Sequence, residues 1–367
     1  MGKKVLANIG SEMNLQMFSG QSIYDFVTSP EIAAYWTEKL QTLPPFLGEE
    51  LFPNTKQIGT EIKWAKGGTG APKLLKPSAF GAKAVPRGRK EFDTVLTKLG
   101  FFKESKYVDE DLRQQLNLVL ASGNQIMIDT ILNKIFDDIT ELVLGAAVTR
   151  EVMRMQLLMT GKAEVEGNGM KYELDYEFNP KHMGNASISW SDSIESNPIL
   201  DIQRAKEQIE LDTGETPTRA VTNLVTLNQI VANTKINKTI SVFGGGDIIL
   251  GRQKVLQYLR EELGLDVVVY DKLYEDESGN GVKYVPDQKF ALLPGTPLGN
   301  TAFAITPEES DLMTSGKSNV SIVDTGVAVT TMHQDDPVQV ETKVSMTSLP
   351  TFENMEKVFI LDAVAQP

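Results

Sequence analysis

Between residues 122 and 178 a single helical pattern of unusual length runs straight into a hairpin. Apolar residues recur at Ile128, Ile131, Leu132, Ile135, Ile139, Leu142, Val143, Ala146, Val152 and Met153. That is the 3.6-residue spacing of one helix face, held for roughly ten turns. Ser122 with Gln125 predicts a capping box at its start, and Gly161 sits where a left-handed C-terminal cap belongs. A helix over residues 123–160 would be roughly 55 Å long, about three times the common globular length. It acts as a beam and dictates an elongated subunit that spans and touches neighbours. Asn168-Gly169 then supplies a hairpin turn within 162–178, with Met170, Tyr172, Leu174, Tyr176 and Phe178 alternating against polar residues.

With 367 residues, 41% of them hydrophobic, the chain exceeds what one core holds, and two main domains with extensions are expected. There is no cysteine, which excludes disulfide staples, thiolate metal sites and a cysteine nucleophile. No apolar run approaches 18 residues and none follows the basic start, so neither a signal peptide nor a membrane span is expected. Met1-Gly2 is not followed by the Ser or Thr at position six that myristoylation needs; Leu6 stands there.

The net charge of −13 argues against a general polyanion binder, but it is unevenly spread. From Lys56 to Lys90 nine basic residues face one acid, Glu61, so that segment carries +8 and the remainder −21. A basic arm on an acidic body is complementary between copies. The segment reads as a two-stranded excursion: residues 56–64 alternate, placing Ile58, Ile62 and Trp64 on one face, and Gly67, Gly68 and Gly70 mark its tip. Its core is too small to stand alone in water, so it needs a neighbour to lie on. The candidate intersubunit contacts are Lys66, Lys73, Lys76, Lys83, Arg87, Arg89 and Lys90. Few aromatics interleave these charges, which disfavours stacking on nucleic acid.

Elsewhere residues 1–50 read as an irregular arm with one short helix at 32–40, ended by Pro44-Pro45. Asp109 caps a helix reaching Leu120. After Trp190 helices and strands alternate: helices over 198–213, 226–233 and 251–263, a strand at 219–223 and a buried-type strand at 267–270. Strands dominate from Asp324, at 326–332, 338–346 and 357–363. The last two alternate, and are expected to return to the sheet begun by the 162–178 hairpin.

Motifs that would carry catalysis are incomplete. His182 and His333 have no motif partners and read as packing or surface residues. Gly316-Lys317-Ser318 ends like a phosphate loop, but Asp311 occupies the position of its first glycine. Gly244-Gly245-Gly246 lacks the last glycine of a dinucleotide loop, with Ile249 in its place, and reads as a loop. Asp276, Ser278, Asn280 and Asp287 have the spacing of a calcium loop, but their strand-like flanks predict a hairpin turn. Asp335-Asp336 before Pro337 read as solvated turn acids. No catalytic residue, cofactor or metal site is expected.

At 149–162 the run TREVMRMQLLMTGK closes the long helix, the hairpin follows at once, and Asp175-Tyr176 ends it. In these residues the chain resembles the major capsid proteins of tailed double-stranded DNA bacteriophages, within the lambda capsid protein E-like family. The resemblance implies an α+β, HK97-like capsid fold: an N-terminal arm at 1–50, an extended β-ribbon loop at 51–95, and a peripheral domain at 96–198 holding the long helix as its spine. It further implies an axial α/β domain at 199–335 and returning peripheral strands at 336–367. It implies a structural, non-enzymatic virion protein assembled in the host cytoplasm into pentamers and hexamers of an icosahedral shell around double-stranded DNA. Scaffolding protein, a portal and a decoration protein are its implied partners, with no membrane. Some relatives crosslink lysine to asparagine; no motif here identifies a partner asparagine or a catalytic glutamate. A nanocompartment shell of the encapsulin kind shares the fold and would package an enzyme. A nucleotide-binding α/β enzyme is the reading from another class, and the missing phosphate-loop glycines count against it.

Overall fold

The computed structural model describes residues 27–66, 93–167, 169–241, 250–313 and 318–365. In chain order come α1 (Ser29–Leu40), α2 (Leu47–Leu51), β1 (Asn54–Lys56), β2 (Glu61–Lys66), β3 (Asp93–Lys98) and β4 (Gly100–Val108). Then follow α3 (Glu110–Ser122), the long helix α4 (Gln125–Thr160), and the hairpin of β5 (Lys162–Gly167) and β6 (Met170–Asp175). The α/β part holds β7 (Met183–Ala186), α5 (Pro198–Thr213), β8 (Arg219–Thr222), α6 (Leu224–Ala232), α7 (Thr234–Ile240), α8 (Arg252–Leu263) and β9 (Asp266–Val269). After it come β10 (Leu273–Glu275), β11 (Gly281–Lys283), β12 (Lys289–Leu293), β13 (Thr301–Ala304), β14 (Asn319–Val323), β15 (Val327–Asp335), β16 (Val338–Pro350) and β17 (Phe359–Ala365).

Two sheets organise the molecule. One runs β1-β13-β16-β15-β14, with β4 on the opposite edge of β16, so that residues 340–346 lie between β15 and β4. The other runs β7-β17-β12-β8-β9. The long helix joins them. Its first half is amphipathic and buries Ile128, Leu132, Ile135, Ile139 and Val143 against Val327, Val329, Val340 and Val344 of the first sheet. Its second half is buried on nearly every side: Met153, Met155, Leu157, Leu158 and Met159 share a core with Ala163, Tyr176 and Phe178 and with Val221, Ala291 and Ile360 of the second sheet. Each such side chain stabilises by about 1.5–3 kcal/mol relative to exposure. A third core lies between α5, α6 and α8 and the five-stranded sheet, around Ile202, Ile209, Leu259, Phe290 and Leu361.

The helix ends at Gly161 as expected, with φ 74° and its N–H on the Leu157 carbonyl. Its start differs. Asn124 is the cap, accepting from the Met127 N–H at 3.4 Å, while Ser122 closes α3 and bonds the Val119 carbonyl. Gly123, left-handed at φ 68°, ends α3, so Ser122 is already spent as a helical residue. Residues 27–50 hold two helices rather than one, and Val27, Ile32 and Trp36 are buried, so this stretch is packed rather than irregular. The expected strand over 56–64 breaks at Gly59 (φ 97°), which leaves Ile58 in a loop at 93% exposure while Trp64 stays buried.

The returning strands also separate. β16 joins the first sheet and β17 pairs with β12 and β7 in the second; neither joins the hairpin, which is its own two-stranded sheet. Nor is either buried on one face alone, as alternation would have it: β16 is buried at every residue from Val344 to Pro350 and β17 from Phe359 to Leu361. The valine run at 267–269 lies in an edge strand paired to β8 alone, half-exposed in alternation instead of fully buried.

Candidate functional site

A helix buried on all sides has no solvent face for its charges, yet the run at 149–162 carries Arg150, Glu151 and Arg154, all at 0–1% exposure. Each is met by a partner from another element. The Arg150 guanidinium lies 5.3 Å from the centre of the Phe303 ring, and its Nη2 donates to Asp324 Oδ2 at 3.0 Å. Asp324 turns the chain between β14 and β15 with φ 49°, and its other oxygen accepts from the Trp36 indole of α1 at 3.1 Å. Glu151 accepts from the Gly48 N–H at 3.0 and 3.1 Å, one contact to each oxygen. A side chain at Gly48 would place its Cβ 2.3 Å from that carboxylate, so glycine is what lets α2 approach. Arg154 Nε donates to Thr301 Oγ1 at 2.8 Å, its Nη2 to Asn54 Oδ1, and Nη1 lies 3.7 Å from Glu151.

Burial dominates the electrostatics. It pushes the Glu151 carboxyl above its ordinary range, only partly offset by the Gly48 amide and Arg154. It lowers the Arg154 guanidinium to about 10, which leaves it charged at neutral pH. Closed to solvent, the cluster cannot meet a substrate. It can hold: the long helix, residues 36–54 and the first sheet are pinned at one point. The sequence singled out this run without giving its charges a role. The signal was there, as three ions inside a stretch apolar all round.

Of the proposed contact residues, Lys66 lends its backbone to β2, and Lys73, Lys76, Lys83, Arg87, Arg89 and Lys90 lie outside the described residues. The base of that excursion is antiparallel from Glu61 opposite Lys98 to Lys66 opposite Asp93, and Trp64 anchors it on Tyr176 with ring centres 5.6 Å apart. Lys56, just before it, pairs with Glu309.

The other candidates scatter. His182 is a buried packing residue whose Nε2 lies 3.0 Å from Asp212, with Phe359 beside its ring. His333 stands on β15, far in sequence from it. Asp276 closes the turn between β10 and β11, accepting from the Ser278 and Asn280 N–H groups at 2.9 and 2.8 Å, a hairpin as expected. Asp336 and Pro337 turn β15 into β16. Gly244, Gly245, Gly246, Gly316 and Lys317 lie outside the described residues. No cluster of metal-ligating side chains and no helix able to cross a membrane occurs among the described residues.

Residues 28–363 match a protein-family model described as "Phage major capsid protein E". No curated protein matches the chain. Among solved structures it is similar to the putative capsid protein of a prophage of E. coli CFT073, at 16% identity over 92% of this chain and 99% of that one, with a TM-score of 0.59. It is also similar to a phage-related protein of Bordetella bronchiseptica RB50, at 14% identity over 93% and 98% of the two chains, with a TM-score of 0.51. At such identities the likeness is one of fold.

Proposed function

The chain belongs to the phage major capsid protein E family, and from that premise we propose that its copies gather as pentamers and hexamers into an icosahedral shell around double-stranded DNA. Membership makes it a structural capsid protein of the virion, HK97-like in fold and not an enzyme. The family match over 28–363 carries the reading. On it, residues 96–198 and 336–367 are read as the peripheral domain and residues 199–335 as the axial one, with β13, β14 and β15 of the latter sharing the first sheet with β4 and β16. Scaffolding protein, portal and decoration protein are the expected partners, with assembly in the host cytoplasm. An acidic body suits a container whose DNA must leave again, since a strongly basic lining would hold it.

The basic segment is read as the clamp between copies, laid on the acidic surface of a neighbour. Heterologous contacts of that kind close into rings. Replacing Lys73, Lys76, Arg87 and Arg89 with Glu reverses four charges of the segment. In sedimentation, the wild-type chain should run as particles far heavier than 40.5 kDa and the variant as a folded monomer. Variant particles of wild-type size would overturn the clamp, and a wild-type chain that stays monomeric in company with its scaffold would overturn the shell.

A further inference from the structure

Strand β4 is a nine-residue edge. It is paired to β16 without a register shift from Gly100 opposite Ser348 to Val108 opposite Val340, and among the described residues no strand pairs with its other side. Edges of this length template pairing with another chain unless something guards or uses them. This one carries large exposed aromatics, Phe101 at 44% and Tyr107 at 52%. It also carries charges at Lys103, Glu104 and Lys106, and Lys106 already pairs with Glu141 of the helix beneath. Glu104 is exposed and has no ion pair or hydrogen bond among the described residues.

We propose that β4 adds antiparallel to β4 of a second copy across a two-fold axis, joining the two first sheets into one; this rests on the shell reading above. Symmetry fixes much of the geometry. Antiparallel addition of a strand to itself requires a two-fold axis normal to the sheet, and the same faces of both sheets then lie on the same side. Opposite residues must therefore have the same parity along the strand. A centre at Lys103 or at Glu104 sets like charges against each other, which is destabilising. A centre at Ser105 sets Glu104 opposite Lys106 twice, Lys103 opposite the Tyr107 ring twice, and Phe102 opposite Val108 twice. Glu104, without a partner among the described residues, thereby gains one, and the two lysines, otherwise a guard against indiscriminate pairing, become specific. The partner is thus a second copy in this register, and a closed shell supplies two-fold axes normal to its wall.

The chain has no cysteine, so Ser105→Cys introduces a single thiol. On the axis, its Cα atoms would stand about 4.5–5.5 Å apart, within disulfide reach. Assembled shells of this variant, mildly oxidised, should give a chain dimer on a non-reducing gel. Ser278→Cys, on the β10–β11 turn, should give none. Shells that assemble and yield no Ser105→Cys dimer, or equal dimer from both variants, overturn the inference and leave the shell reading intact. Failure of the wild-type chain to form shells overturns the shell reading itself. Glu104→Lys, which sets lysine against Lys106, should raise the protein concentration needed for assembly while leaving the monomer's melting unchanged; unchanged assembly counts against the register.

Discussion

Burying Arg150, Glu151 and Arg154 in one helix costs several kcal/mol per ion before any pairing. What returns that cost is the set of partners on Gly48, Asn54, Thr301 and Asp324, contacts that also fix where the N-terminal segment lies. Arg154→Ala leaves Glu151 buried without its cation and should destabilise by about 3–5 kcal/mol. A lower urea midpoint at constant slope would record it, and a loss below about 1 kcal/mol would contradict it. Glu151 gives a pH signature. Its carboxyl is raised in the folded state, so its contribution is fully present below the unfolded value of about 4.3 and is lost as pH rises through the folded value. Glu151→Gln keeps an acceptor for Gly48 and cannot ionise. Its stability relative to wild type should therefore climb as pH rises from about 4.3 and then level off; midpoints measured from pH 4 to 8 would show this, and a flat difference would contradict it. None of this was legible beforehand. The charges stood in the quoted run, but their partners lie between about 100 and 175 residues away, and the sequence does not say which loops return.

At the scale of elements the long helix is one span with two jobs, amphipathic over the first sheet and buried all round beneath the second. Proline at Ile139, mid-helix and 2% exposed, removes a hydrogen bond and clashes with the preceding turn, at a cost of about 3 kcal/mol or more. Loss of the cooperative melting transition is the expected readout, and wild-type melting would contradict it. Local chemistry was readable here. Gly161, Gly214 and Gly264 end their helices left-handed, and Asp109 and Asn197 cap theirs as the sequence indicated. Competition between local signals was not. Ser122 and Asn124 are both competent caps, and the choice follows from Gly123 closing another helix first. Sheet membership was not readable either, because nothing local to β16 or β17 says that they enter different sheets.

For the whole molecule, the run at 149–162 and the hairpin after it identified the family, and the match over 28–363 bears that out. The charge division is equally plain in the sequence, a +8 segment on a −21 remainder, and in the proposed clamp it draws one copy to the next. An edge such as β4 was not readable there, since it exists only once distant strands have paired. The claim on which the rest depends is that copies of this chain build a closed container. Electron microscopy of the purified protein, alone and with its scaffold, tests it most directly. Closed shells of uniform diameter with five- and six-fold clusters are the expected image; dispersed monomers in both preparations would contradict it.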